Sequence, residues 1–113
     1  MENIYEIDPS RMFEKPKCAV HCPTIEDARS LVRAMKIANP AMARNFNDID
    51  CGWEDKYTCY TLFYEDSVEP TRLSRTEIGW FRRKGYEVIE CAELAAKIVD
   101  IEESDQAVDT LFG

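Results

Sequence analysis

Residues 17–40 read KCAVHCPTIEDARSLVRAMKIANP, and this stretch decides the fold class. Its first six residues are short, largely apolar and bounded by Pro16 and Pro23. That predicts a strand with Cys18, Val20 and Cys22 on one face and Ala19 and His21 on the other. Thr24 with Asp27 three residues on predicts an N-cap, because a side-chain oxygen there accepts from the amides that a helix start leaves unpaired. Ile25, Ala28, Leu31, Val32, Met35 and Ala38 then recur at three- and four-residue spacing, the stripe of an amphipathic helix ending near Asn39-Pro40. A strand followed by a helix with one apolar face calls for a sheet to cover that face.

Toward the N-terminus, Pro9 and Pro16 interrupt any long helical run, so residues 1–16 read as an arm. Asp8 before Pro9 can cap a single helical turn there, with Phe13 anchoring it to the domain. Residues 41–56 lose their period and gather Asn, Asp and Glu around Phe46, Ile49 and Trp53; a further strand can hide within 44–53. Residues 57–64 (YTCYTLFY) are aromatic and β-branched, the strongest strand signal in the chain. Residues 65–72 form another loop.

Ser74 with Glu77 resembles a capping box, Ile78 and Phe81 share a helix face, and Gly85 stands where a left-handed C-terminal cap falls. A second helix over about 75–84 follows. Residues 86–91 (YEVIEC) alternate as a strand, with Tyr86, Val88 and Glu90 opposite Glu87, Ile89 and Cys91, and 92–98 suit a short helix. The expected class is therefore α+β: a small three- or four-stranded sheet with two helices packed on one face. The domain spans 17–98, between the arm and an acidic tail over 99–113.

At 113 residues, with 45% apolar and 11% aromatic side chains, the chain has the length and composition of one globular domain. Asp and Glu outnumber Lys and Arg by 22 to 14, and the formal charge is −8. Five of those acids (Asp100, Glu102, Glu103, Asp105 and Asp109) lie in the tail without a base among them. Such a field disfavours nucleic acid and favours a basic protein surface as partner. The tail reads first as disordered, with a docking helix, against its own domain or onto a partner, as the competing reading from Ala107, Val108, Leu111 and Phe112 at helical spacing. The N-terminus has neither a basic segment nor an apolar one, no window suits a membrane span, and five cysteines without a framework spacing suit a reducing cytoplasm.

His21 with Cys18, Cys22, Cys51 and Cys59 spells a zinc set on paper, but a strand would turn His21 away from Cys18 and Cys22. The thiols read instead as small buried apolar groups, and neither a metal nor another cofactor is expected. No phosphate-cradling or nucleophile-elbow motif is present in the sequence. The basic group Arg72, Arg75, Arg82, Arg83 and Lys84, flanked by Trp80 and Phe81, is open to nucleic-acid contact, but complementing a helix C-terminus is the favoured reading.

The loop acids carry the sharper expectation. Asp48, Asp50, Glu54, Asp55, Glu65, Asp66 and Glu69 flank one strand, and with Trp53 they are the expected partner-binding residues, Tyr57 and Tyr64 lying nearby. Carboxylates would steer encounter with a basic groove and aromatic rings would prolong residence.

The run TCYTLFYED followed by SRTEIGWFRRKGYEVIECAEL, within 58–94, resembles small α/β proteins encoded by phages and prophages of Gram-positive bacteria. The likeness rests on an aromatic strand, a polar turn, a helix and the Gly85–Ile89 strand, and it carries no functional residues with it. It implies a non-enzymatic anti-defence binder, including the anti-CRISPR kind that blocks the basic groove of an effector nuclease. The alternative is a protein that sequesters a nucleotide signal through Trp53, Tyr57, Trp80, Arg82 and Arg83. A thiol or metal enzyme built on His21 is the third reading.

Overall fold

The structure is a computed structural model that describes residues 4–14, 16–47, 50–64 and 67–95. In chain order the elements are α1 (Arg11–Glu14), β1 (Cys18–His21), α2 (Ile25–Ala38), β2 (Cys59–Thr61), β3 (Ser74–Thr76), α3 (Ile78–Arg83) and β4 (Glu87–Glu90). Short 3-10 turns at Pro40–Ala43 and Cys91–Leu94 follow α2 and β4.

The four strands form one mixed sheet in the order β3-β2-β1-β4. β1 pairs antiparallel with β2 (Val20 opposite Tyr60) and parallel with β4 (Val20 opposite Ile89), while β3 runs antiparallel to β2. The α+β class is as the sequence indicates.

The alternation in residues 17–22 is realised. Cys18, Val20 and Cys22 join α2 residues Leu31, Val32 and Met35 in the larger core, whereas Ala19 joins a smaller cluster on the other face. Thr24 caps α2 as expected, its Oγ1 accepting from the Asp27 amide at 3.2 Å. Burying a Leu or Val side chain contributes about 1.5–3 kcal/mol, so this stripe is what seats the helix.

The expectation that both helices lie on one face is corrected. Phe81 of α3 packs with Ala19, Cys59 and Tyr86, on the face opposite α2. Tyr86 continues β4's alternation on that side, and its hydroxyl donates to the Phe63 carbonyl. An apolar strand with both faces covered needs a helix on each.

The helix expected over 75–84 is shorter, because Ser74, Arg75 and Thr76 form β3 instead. Glu77 takes the N-cap position of α3 without a side-chain cap hydrogen bond. β3 is thus the fourth strand, and none of the described residues from 44 to 53 belongs to a strand. Gly85 adopts φ +81 after α3, the left-handed residue that stops it. The strand expected over 57–64 is trimmed to its centre, and the turn after β4 is 3-10.

The arm docks through Asp8, whose amide donates to the Leu94 carbonyl at 2.8 Å, and through a bridge between Ile7 and Ala95. Asp8 Oδ1 accepts from the Ser10 amide at 3.0 Å, starting the turn that buries Met12 completely. Phe13 is only partly buried against the core. The tail readings, and residues 96–98 of the short C-terminal helix, lie outside the described residues. No helix among those described is long and apolar enough to cross a membrane.

Candidate acidic binding surface

The segment between the Pro40–Ala43 turn and β2 is irregular, yet it is fastened at three points. Tyr60 donates its hydroxyl to the Cys51 carbonyl at 2.6 Å, and the Trp53 indole N–H donates to the Cys22 carbonyl at 2.8 Å. Glu54 and Tyr57 close a turn, with the Tyr57 amide 2.9 Å from the Glu54 carbonyl. Asp55 and Lys56 stand at its tip.

Gly52 makes the path possible. At φ +75 it occupies the left-handed region, and a Cβ there would fall 2.6 Å from Phe46 and 2.8 Å from Arg75. Just before it, the Asp50 amide donates to Asn47 Oδ1 at 2.7 Å and the Asn47 amide returns a bond to the Asp50 carbonyl at 3.0 Å. The loop is therefore held by directional bonds to the core and to itself.

Of the residues expected to bind a partner, Trp53, Glu54 and Asp55 line one shallow depression with Lys56. Asp50, Glu54 and Asp55 are exposed, and the Trp53 ring is half-buried against the core. Glu54 is paired with Arg75 at 3.5 Å, and the Arg75 guanidinium also lies 4.7 Å over the Tyr57 ring. Glu69 is exposed in a separate turn, where the Ser67 hydroxyl donates to its carbonyl at 2.6 Å. Asp48, Glu65 and Asp66 lie outside the described residues.

The two tryptophans of the nucleotide-signal reading sit in different clusters. Trp53 packs against the α2-side core, while Trp80 belongs to the opposite cluster and stacks on Tyr64 with centroids 5.0 Å apart. His21 meets Glu90 across β1 and β4, Nδ1 to carboxylate at 3.0 Å, on the face away from Cys18 and Cys22. Among the described residues no group of three or more His, Cys, Asp or Glu is placed to hold a metal ion.

A polar cluster that the sequence did not reveal lies where β1 and β4 end. Tyr5 of the arm donates its hydroxyl to Asp27 Oδ1 at 2.5 Å and lies 3.4 Å from Cys91 Sγ. Cys91 in turn reaches the Asp27 carbonyl at 3.5 Å and hydrogen-bonds with Cys22. The bond from Cys22 draws the Cys91 thiol below its ordinary range. Burial pushes Cys22 well above that range, and on the other face burial raises Cys59 to about 12. The only signal for this cluster was the matching end position of two cysteines on strands of unknown pairing.

Set beside known proteins, the chain matches no family model, no curated protein and no solved structure.

Proposed function

We propose that this chain is a non-enzymatic, acidic anti-defence protein of phage origin, acting in the cytoplasm of a bacterial host. Its partner is a basic protein surface, foremost the nucleic-acid groove of a CRISPR effector nuclease, which it occupies in place of nucleic acid. The observation that carries this reading is the Trp53–Cys22 hydrogen bond, which ties an exposed loop bearing Asp50, Glu54 and Asp55 to the core. A carboxylate loop already fixed in the free protein loses little conformational freedom on binding.

Three features support the mechanism. Net charge of −8 steers the chain toward a cationic groove and away from nucleic acid itself. The half-buried Trp53 ring offers an aromatic anchor beside the acids. Arg75, on the edge strand β3, pairs with Glu54 at 3.5 Å and orients that carboxylate, while Asp50 and Asp55 are exposed. Glu69 stands exposed in a separate turn on the other side of β2 in sequence, and Asp48, Glu65 and Asp66 complete the set in sequence.

The test is inhibition of guided DNA cleavage by the purified effector nuclease of the host. The protein is expected to suppress cleavage, and the combined Asp50→Lys, Glu54→Lys and Asp55→Lys variant to lose that effect with an unchanged circular dichroism spectrum. Absence of inhibition by the unaltered protein would overturn the anti-CRISPR assignment. Full inhibition by the folded triple variant would overturn the groove mechanism.

A further inference from the structure

β1 and β4 are parallel neighbours whose last paired residues are His21 and Glu90. One residue further along each chain stand Cys22 and Cys91, opposite one another at the same end of the sheet. Neighbouring strands lie about 4.8 Å apart, inside the range of Cα separations that a disulfide spans. Both side chains belong to the α2-side core and hydrogen-bond to each other. All five cysteines are free thiols in the structure, and Cys59 belongs to the opposite face.

We infer that Cys22 and Cys91 form an oxidisable dithiol, which a hydroperoxide converts into a disulfide joining the ends of the two parallel strands. The arm covers this site, with Tyr5 bound to both Asp27 and Cys91. Both sulfurs are fully buried, so the oxidant reaches them when the arm lifts.

Cys91 is the attacking sulfur, since it lies directly against the arm, 3.4 Å from the Tyr5 hydroxyl, and is uncovered when the arm lifts. Its sulfur attacks one peroxide oxygen, the O–O bond breaks, and the departing oxygen takes up the thiol proton, giving a sulfenic acid and one water from hydrogen peroxide. The Cys22 sulfur then attacks the sulfenic sulfur, the S–S bond forms, and the hydroxyl leaves with the Cys22 proton as a second water. Two thiols lose two electrons and two protons, and the peroxide accepts both.

The experiment treats the full chain with hydrogen peroxide, alkylates it under denaturing conditions and maps its peptides by mass spectrometry. The expected result is loss of two alkylatable thiols and a dithiothreitol-sensitive link between the peptides holding Cys22 and Cys91, with Cys59 still alkylated. Alkylation of all five thiols, or a link between any other pair, would overturn the inference. In Cys22→Ser the first step has no resolving thiol, so dimedone is expected to label Cys91. Labelling elsewhere with none at Cys91 contradicts the assignment, and the map of the unaltered chain decides the pairing whether or not that variant folds.

Discussion

The indole N–H of Trp53 donates to the main-chain carbonyl of Cys22 at 2.8 Å, across 31 positions of sequence. That bond fastens the acidic loop to the end of the central strand. Trp53→Phe keeps a ring of similar shape and deletes the donor, leaving a partly buried carbonyl unpaired. A loss of about 1–2 kcal/mol in urea unfolding is expected, together with faster amide exchange in residues 50–57 than in β1. Unchanged exchange in the loop would mean that it is held by other means.

Gly52 and Gly85 both have positive φ, but their surroundings differ. At Gly52 an added Cβ meets Phe46 at 2.6 Å and Arg75 at 2.8 Å, whereas at Gly85 nothing lies within 4 Å. Gly85→Ala is expected to cost about 1 kcal/mol from backbone strain alone. Gly52→Ala should cost at least about 2 kcal/mol, because the contacts must shift as well. Urea midpoints of the two variants compare them directly.

Phe81 holds the second face of the sheet. It is fully buried and meets Tyr86 edge-on with centroids 4.9 Å apart. Phe81→Ala is expected to lose about 3–5 kcal/mol, typical of deleting a buried ring. A loss under about 1 kcal/mol would contradict the two-sided packing.

Cys59 makes stability fall in alkali. Burial raises its thiol from 9.0 to about 12, so between those values the folded chain binds a proton that the unfolded chain has released. Its contribution is full below pH 9 and is lost as pH climbs toward 12. Cys59→Ala should therefore flatten the decline of stability over that window, as read by denaturant titrations at successive pH values. An identical slope in the variant would refute the assignment to Cys59.

The legible parts of the fold are those whose signal is local. The alternation through Cys18 to Cys22, the Thr24 cap of α2 and the stop at Gly85 each depend on a few neighbouring residues. β3 escaped because Ser74, Arg75 and Thr76 are polar and half-exposed on an edge strand, with no alternation to read. Ser74 and Glu77 carry a capping-box spacing that pairing with β2 overrides. The faces of the helices escaped for a related reason: Phe81 goes to the far side because Ala19, Cys59 and Tyr86 form an apolar patch there, which only the strand order assembles. Of the acidic site, the exposure of Asp50, Glu54 and Asp55 was legible, but the Arg75 pairing required β3. The Tyr5–Asp27–Cys91 cluster joins three segments up to 86 positions apart, beyond any local pattern.

The most direct test of the account is displacement of labelled DNA from the guided effector nuclease, followed by fluorescence anisotropy at low and moderate salt. The account predicts that the protein releases the DNA, less effectively as salt rises, and that the Asp50→Lys, Glu54→Lys, Asp55→Lys variant does not. Equal displacement by the folded variant, or none by the unaltered protein, would contradict it.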